Sequence, residues 1–325
     1  MDETQIKHAA SVLRAGGLVA FPTETVYGLG ADASNVAAVK KVFDAKGRPH
    51  DHPLIVHLAD VAQLEQLDPW AIEIPAAAYA LAKRFWPGPL TMVLRRAPHV
   101  SDAVTGGQDT VAIRIPSHPV AQALLRAFGG GVVAPSANRF GHVSATTAQH
   151  VRDEFGDAVD YVLDGGACEV GIESTIVDMS REKVSVLRPG WITVRDIETT
   201  LGTTLTAPDA QSPRASGTLE KHYSPDTPVM LVESDLIYEL ASSLMRQGQR
   251  VAVLARTAQR PMLPALIWCA APLDEAGYAH ALYANLRTLD AGGADVMMIE
   301  EPPLLPTWVA IRDRLMRAAA GSSTQ

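Results

Sequence analysis

Apolar positions in the first 200 residues repeat with a helical period in some stretches and form short runs in others. The helical period predicts helices at about 3–15, 35–45, 60–67, 74–85, 118–128 and 146–155. The short runs predict strands at 18–21, 54–58, 90–95, 111–115, 131–134, 161–163, 175–179 and 183–188. Neither a strict βα alternation nor a meander fits this order, which indicates an α/β fold built on a mixed sheet with flanking helices.

The ends of the first two helices carry local signals. Gly16-Gly17 follows the first helix, and glycine commonly ends a helix. Ser34 is the predicted N-cap of the second helix. The apolar positions of that second helix are expected to share one buried face: Val36, Val39, Val42 and Phe43.

Residues 201–227 interrupt this pattern, since they are rich in Thr, Ser, Pro and Gly and have no sustained apolar period. Such a composition predicts a linker. After it, strands at 228–233, 250–255, 265–270 and 295–299 are expected among helices at 235–247, 273–290 and 307–319. The sequence therefore predicts an α/β domain at 1–200, a linker at 201–227 and a small Rossmann-like α/β domain at 228–325.

Composition narrows the class of protein. The two cysteines, Cys168 and Cys269, lie far apart with no CxxC spacing, which disfavours a zinc site or a disulfide framework and suits a reducing compartment. The first residues lack the basic start and apolar run of a signal peptide, and no apolar stretch approaches the roughly 20 residues that span a bilayer. We therefore expect a soluble, cytoplasmic protein.

Charge bears on the partners. The chain has 36 acidic and 28 basic residues, a net charge of −8. Nucleic-acid-binding proteins usually carry a basic excess that neutralises phosphates, so no extensive direct binding to nucleic acid is expected. A small anionic ligand held by a few cations remains compatible with this charge.

The first segment with candidate chemistry is FPTETVYGLG, residues 21–30, which follows the first strand. Loops at the carboxyl ends of strands are favoured ligand sites in α/β folds, although a polar turn is the alternative. Gly28-x-Gly30-x-x-Ala33 matches a dinucleotide fingerprint. The strand does not lead straight into its first glycine, so this interpretation is not favoured.

The second segment contains Lys46-Gly47-Arg48-Pro49. One cation after a helix can simply complement the helix dipole, but two cations around a glycine resemble an anion clamp. The nearby histidines His50, His52 and His57 suggest a metal site, yet no carboxylate or cysteine stands at zinc-site spacing. We expect no metal site. On its own, His57 is also compatible with a core histidine.

Two further segments lie at strand ends. Arg114 lies in an otherwise apolar strand, so it needs either a structural anionic partner or an anionic ligand, and the sequence leaves both open. The segment APSAN, residues 134–138, carries Ser136 in a loop suited to phosphate and ribose oxygens. GxSxG and GxxxxGK[ST] are absent, which disfavours a serine hydrolase and a P-loop.

Taken in order, seven segments resemble the YrdC-type threonylcarbamoyl-AMP synthases. They are FPTETVYGLG, KGRPHDHPLIVH, FWPGPLT, TVAIRIP, APSAN, GIESTIVD and VLRPG, and the match runs through about residues 5–200. A linker with His222-Tyr223-Ser224-Pro225 before a small α/β domain resembles the long, two-domain form of this family.

The resemblance implies roles for individual residues. Threonine or its carbamate would be surrounded by Thr25, His57, Arg114, Ala134 and Ser174, with Arg114 binding the carboxylate. ATP would be contacted by Arg48, Thr110, Ser136, Ser144, Arg188 and Tyr223, with Lys46 beside Arg48 near the phosphates. His52 stands where many relatives have an asparagine, and both side chains can donate a hydrogen bond to ATP.

The implied reaction joins threonine, bicarbonate or CO2, and ATP into threonylcarbamoyl-AMP and pyrophosphate. Such a transfer needs positioning and charge neutralisation, which Lys46, Arg48 and Arg188 would supply together with the Mg2+ that ATP carries. The product would pass to tRNA-modifying threonylcarbamoyl transferase proteins that form N6-threonylcarbamoyladenosine. Because the resemblance puts Tyr223 at the nucleotide, the linker is expected to act as an active-site lid.

Two other functions compete with this one. A YrdC-type enzyme that forms carbamoyl-adenylate from another donor would share the core motifs, but the acylphosphatase-like and zinc-finger segments of those proteins are absent. An RNA-binding factor is the other alternative, and the acidic balance disfavours it.

Overall fold

The computed structural model describes residues 2–64, 69–219 and 221–321. Its helices are α1 (Glu3–Arg14), α2 (Val36–Lys46), α3 (Ala76–Phe85), α4 (Asp102–Thr105), α5 (Pro119–Phe128), α6 (Ala148–Phe155), α7 (Val194–Leu201), α8 (Ile237–Arg246), α9 (Glu275–Asp290) and α10 (Val309–Ala320). Its strands are β1 (Val19–Phe21), β2 (Gly28–Asp32), β3 (Ile55–His57), β4 (Ala71–Ile72), β5 (Leu90–Arg96), β6 (Thr110–Arg114), β7 (Val132–Val133), β8 (Tyr161–Val162), β9 (Thr175–Asp178), β10 (Ser185–Arg188), β11 (Val229–Val232), β12 (Val251–Ala255), β13 (Ile267–Ala270) and β14 (Val296–Glu300). All predicted strands are confirmed, as are all predicted helices except the one at 60–67.

The expected helix at 60–67 is wrong over its described part, where a 3-10 turn spans Val61–Leu64. Residues 65–67 of that prediction lie outside the described residues. The elements β2, β4, α4 and α7 were not predicted from the pattern.

Two details of α2 correct the sequence prediction. Its N-cap is Asn35, whose side-chain oxygen accepts hydrogen bonds from the amides of Ala37 and Ala38. Ser34 instead donates its hydroxyl to Asp32 at 2.7 Å. Val36 is 53% exposed, because the buried face centres on Val42 and a residue six positions earlier lies roughly 120° away around the helix.

Strand β2 begins inside the FPTETVYGLG segment, which was expected to be a loop. It pairs antiparallel with β1, so that Phe21 lies opposite Gly28. A Cβ on Gly30 would lie 2.8 Å from the Phe21 ring and 2.9 Å from the carbonyl oxygen of Val19, so this close approach requires glycine. Since both glycines belong to a strand rather than a strand-to-helix turn, the dinucleotide fingerprint has no structural counterpart.

The chain divides into two compact units. The first comprises Met1–Phe140, Ala145–Glu169 and Glu173–Thr218, and the second comprises Gly141–Ser144, Val170–Ile172 and Leu219–Gln325. The linker predicted at 201–227 is therefore shared between them, with its residues up to 218 packed in the first unit. Among the described residues no helix is both long and apolar enough to cross a bilayer.

The first unit is built on a twisted mixed sheet with strand order β10-β9-β5-β6-β3-β7-β2-β1-β8, and β4 pairs with β5. Helices cover both of its faces. Alternation along the first strand shows the two layers, because Leu18 and Ala20 join one hydrophobic core while Val19 and Phe21 join the other. The core that contains Val19 is formed with α1 and α5.

The second unit has a four-stranded parallel sheet with strand order β11-β14-β12-β13. Its core joins the strands to α8 through Val253, Met298, Ile237 and Ala241. A four-stranded parallel sheet with helices confirms the expected second α/β domain.

Candidate active site

Strands β3 and β6 bring two candidate residues together at the carboxyl edge of the first sheet. The two strands are parallel and in register, with His57 opposite Arg114. Strand β7 flanks β3 on its other side, and the amide of Ala134, just after β7, donates to the carbonyl oxygen of Ile55 at 3.0 Å. His57 and Arg114 therefore lie together where two parallel strands end, a favoured position for ligand sites in α/β proteins, whereas Ala134 lies beside the first residue of β3 because β7 is antiparallel to it.

Arg114 has a structural partner that the sequence analysis did not select. Its Nη2 donates to Oε1 of Glu24 at 2.7 Å, and each side chain is 5% exposed. The other oxygen of Glu24 accepts the amide of Ser117 at 3.0 Å. The Nε of Arg114 stays buried without a hydrogen-bond partner among the described residues. Leaving such a donor unpaired is unfavourable, so this atom is poised for an acceptor on a ligand.

Two other expected threonine-binding residues, Thr25 and Ser174, lie near this pair. Thr25 adjoins Glu24 and is fully buried, with its hydroxyl 2.8 Å from that of Thr23. Ser174 lies 2.8 Å, hydroxyl to hydroxyl, from Thr91, which is opposite Arg114 on β5. Thr25, His57 and Ser174 thus lie next to Arg114 or to one of its neighbours, whereas Ala134 lies beside Ile55, two positions before His57 on β3.

His57 is neutral in this environment. Burial, and then the neighbouring Arg114, lower its pKa to about 3. Its Nδ1 lies 3.2 Å from the carbonyl oxygen of Ile55. A neutral imidazole buried beside a guanidinium can donate or accept one hydrogen bond without adding charge to the site.

Two arginines expected at ATP meet at one serine. Arg188 donates from Nε and Nη2 to the carbonyl oxygen of Ser174, at 3.2 Å and 2.9 Å, and from Nη1 to that of Ser216 at 2.9 Å. Arg48 donates from Nη2 to the Ser216 hydroxyl at 3.1 Å and to the carbonyl oxygen of Pro53 at 2.9 Å. Ser216 belongs to the stretch predicted as a linker, and it connects the two cations within the first unit.

A pocket of the first unit opens beside this serine. Thr110 of β6 lines the pocket, as do Ala215 and Ser216 from the stretch predicted as a linker. The remaining lining is mostly apolar: Pro53, Leu54, Ile55, Val93, Gln108, Ala112, Ile176 and Arg214. The Gln108 side chain exchanges two hydrogen bonds with the main chain of Arg214, at 3.1 Å and 2.6 Å. The pocket is thus mostly apolar, and Ser216 joins it to the two arginines.

Lys46 binds the loop that contains Ser136. Its buried Nζ donates to the carbonyl oxygen of Ser136 at 2.6 Å and to that of Asn138. Burial, and then Arg48, lower the pKa of Lys46 well below its ordinary value. His52 is half-buried against the Phe140 ring, and burial followed by Arg48 lowers its pKa as well.

Ser144 and Tyr223, the remaining expected ATP contacts, belong to the second unit. The carbonyl oxygen of Ser144 accepts a hydrogen bond from Arg287 of α9. Tyr223 lies in a segment whose composition predicted flexibility, yet it is buried, stacks on Tyr283 at 5.8 Å and lies under the guanidinium of Arg314. Their roles at ATP remain predictions.

The histidines considered for a metal site have different neighbours. His50 lies against Phe43, His52 against Phe140, and His57 beside Arg114. Across the described residues there is no group of three or more His, Cys, Asp or Glu side chains arranged to hold a metal ion.

Sequence reasoning missed two residues of this site. Glu24 lies within the FPTETVYGLG segment, so its position in a suspected ligand loop was a usable signal. Ser216 carried no signal, because a serine in a Ser- and Pro-rich stretch looks like any linker residue.

These features define a class: a two-unit α/β protein whose first unit contains buried arginines and a mostly apolar pocket. Residues 11–190 match the family Sua5_yciO_yrdC, whose description is "Telomere recombination". Residues 192–320 match "Threonylcarbamoyl-AMP synthase, C-terminal domain". The chain belongs to the Sua5/YciO/YrdC family, in the two-domain form.

Known proteins resemble it over nearly its whole length. The threonylcarbamoyl-AMP synthase of Pyrococcus abyssi is 38% identical over 98% of this chain and 95% of its own. The threonylcarbamoyl-AMP synthase of Bacillus subtilis is 40% identical over 98% of this chain and 94% of its own. The crystal structure of P. abyssi Sua5 complexed with L-threonine matches with a TM-score of 0.90 at 37% identity, over 99% of this chain and 96% of that one.

Proposed function

We propose that this protein is an L-threonylcarbamoyladenylate synthase, which converts threonine, bicarbonate or CO2, and ATP into threonylcarbamoyl-AMP and pyrophosphate. The observation that carries the proposal is Arg114, a buried guanidinium with one face paired to Glu24 and with its Nε unpaired. A substrate carboxylate is the acceptor that best matches such a group. Relatives named threonylcarbamoyl-AMP synthase along the full chain, and a threonine complex of one, support the same substrate.

The threonine side of the site would work by positioning. The α-carboxylate would pair with Arg114, while Thr25, His57, Ala134 and Ser174 would enclose the remaining atoms. Because His57 is neutral, it adds no second cation that would favour a misplaced anion. A threonine held in this way presents its amine to CO2, and loss of one proton from nitrogen leaves a carbamate.

The ATP side would supply charge neutralisation. The carbamate oxygen attacks the α-phosphorus, the bond to the β-phosphate oxygen breaks, and pyrophosphate leaves with its electron pair. Arg48 and Arg188, together with the Mg2+ that ATP brings, would offset the charge on the phosphates. Thr110 and Ser136 would contact ATP as well, and His52 would donate the hydrogen bond that an asparagine donates in many relatives.

The product would serve a later reaction. Threonylcarbamoyl-AMP is a mixed anhydride, so its acyl group is ready for transfer to an amine, and we propose that partner transferase proteins use it to form N6-threonylcarbamoyladenosine in tRNA. The cytoplasm is the compartment that suits this role and the cysteine usage.

The test is pyrophosphate release from ATP with threonine and bicarbonate each present or omitted, while labelled bicarbonate is traced into product. We expect release that requires all three substrates, and label in a compound that also contains AMP. Release without threonine would favour the enzyme that activates another carbamoyl donor. No release, combined with salt-sensitive RNA binding, would favour the RNA-binding alternative.

A further inference from the structure

The loop of residues 136–140, called the Ser136 loop below, is held by β2, by α6 and by Lys46. Strand β2 binds its beginning: Ser136 pairs with Gly28, and the amide of Ala137 donates to the carbonyl oxygen of Tyr27 at 2.7 Å. In the second half, the amide of Arg139 donates to Oε1 of Glu154 on α6 at 3.0 Å.

Lys46, the last residue of α2, binds that second half. Its Nζ donates to the carbonyl oxygens of Ser136 and Asn138, and its own carbonyl oxygen accepts the amide of Phe140 at 2.8 Å. One residue therefore fixes the loop at three points, and Lys46 is only 3% exposed.

We propose that Lys46 is a positioning residue that clamps the Ser136 loop and acts on ATP through Ser136. Both side-chain hydrogen bonds need only two N–H groups, which the residue keeps whether its amine is charged or neutral. A lysine that neutralised phosphate would need its charge, and burial works against that charge. This assignment differs from the phosphate-contacting role that the family resemblance implies.

The helix offers a matched control. Lys41 also lies on α2, and its Nζ also donates to a main-chain carbonyl, that of Gly16, at 2.7 Å. Lys41→Met therefore removes a lysine charge and a lysine-to-carbonyl bond from the same helix without touching the Ser136 loop.

The first experiment is hydrogen–deuterium exchange of the full-length protein without nucleotide. We expect Lys46→Met to raise exchange of the Asn138 amide by about tenfold, and Lys41→Met to leave it at the wild-type level, because the amide's acceptor, the Ser136 carbonyl, is no longer held by the lysine. The Phe140 amide keeps its main-chain acceptor in both variants and should change less. Unchanged protection in Lys46→Met would overturn the clamp. If Lys46→Met does not fold, amide exchange is measured in Lys46→Gln, whose side chain is polar but too short to reach both carbonyls. The same increase or lack of increase then supports or overturns the clamp.

The second experiment rests on the proposed function, since it measures ATP affinity by calorimetry in a double-mutant cycle. Ser136→Ala should weaken ATP binding in the wild type but change it less than twofold in Lys46→Met, because the loop is already displaced there. If the fold-changes in ATP affinity of the two single variants multiply in the double variant, the two residues act separately. That result would overturn the proposal that Lys46 acts on ATP through Ser136. If the wild type binds no ATP, the proposed function fails, while exchange still decides the clamp.

Discussion

The guanidinium of Arg114 shows how one residue can serve structure and ligand together. Its pairing with Glu24 answers the structural need of a charge inside an apolar strand. Its buried Nε has no hydrogen-bond partner within the described part of the chain, and the fixed fork of arginine then directs that donor to one place. The two interpretations that the sequence left open are therefore not exclusive at this position.

Replacing Arg114 tests the ligand role. Arg114→Ala should weaken threonine binding by about 2–5 kcal/mol, because a buried charge-assisted pair to the carboxylate is lost, while ATP binding falls far less. Calorimetric titration with each substrate measures this difference. The control is Arg95→Ala, which removes an exposed arginine paired with Glu73 at 2.9 Å near the far end of β5. Equal losses for threonine and ATP would mean that Arg114 is structural.

Glu24 should matter for threonine through Arg114. Glu24→Gln keeps an oxygen for the Ser117 amide but removes the charge that orients the guanidinium, so threonine affinity should fall by about 1.5–3 kcal/mol, the usual range for a hydrogen bond to a charged group. ATP affinity should stay within about twofold, and Glu73→Gln, at the exposed Arg95 pair, should change neither. Loss of thermal stability with unchanged threonine affinity would assign Glu24 to folding alone.

At the scale of elements, the stretch after α7 has more structure than its composition indicates. Residues 203–218 form no helix or strand, yet Ser216 binds both Arg48 and Arg188. The stretch is also anchored before Ser216, where Arg181 donates to Asp209 at 2.9 Å and to the Ser212 hydroxyl at 2.8 Å. A segment held at defined points beside a pocket can act as a cover for a bound nucleotide.

Removing this segment tests the lid. Deletion of residues 215–226 should abolish synthesis while the first unit keeps its fold, because the arginines lose Ser216 and the site loses its cover. Pyrophosphate release and circular dichroism measure the two outcomes. Ser216→Ala should lower activity in the same direction, whereas Ser212→Ala, which alters only the distal anchor, should not. Full activity in the deletion variant would refute the lid.

Elements with a strong apolar period were predictable, and those with a weak one were not. The spacing of apolar residues predicts helix α5 and strand β3. Gly28–Asp32 has few side chains that favour strands, and its glycines instead allow close contact with the ring of Phe21. Long-range partners were also beyond the sequence: Glu24 and Arg114 are 90 positions apart, and Ser216 is 168 from Arg48. Motif order predicted the residues of the site, but only the fold supplies their pairings.

At the scale of the whole molecule, a net charge of −8 contrasts with a site that concentrates cations. Arg48, Arg114 and Arg188 are all buried, and each is bound by carbonyl, hydroxyl or carboxylate oxygens of the first unit. These three cations are thus buried in the first unit, while the chain as a whole is acidic, which disfavours extensive binding of a long polyanion such as RNA.

The stability of the whole fold should depend on pH through His57. Its pKa in the folded protein is about 3, below the ordinary value of 6.5, so the unfolded chain binds an extra proton between these two values. This contribution to stability is present above pH 6.5 and is lost as the pH falls toward 3. The unfolding free energy lost through His57 between about pH 7.5 and 5 is roughly 2 kcal/mol.

Urea unfolding at these two pH values measures this pH dependence in the wild type and in His57→Asn. The control is His8→Asn, which alters an exposed histidine of α1. His57→Asn should reduce the loss of unfolding free energy on acidification by about 2 kcal/mol, because asparagine takes up no proton when the chain unfolds. His8→Asn should retain most of the wild-type loss. Equal losses of unfolding free energy in all three proteins would show that His57 is protonated in the folded state or exposed to water. They would contradict its role as a neutral hydrogen-bonding group beside Arg114.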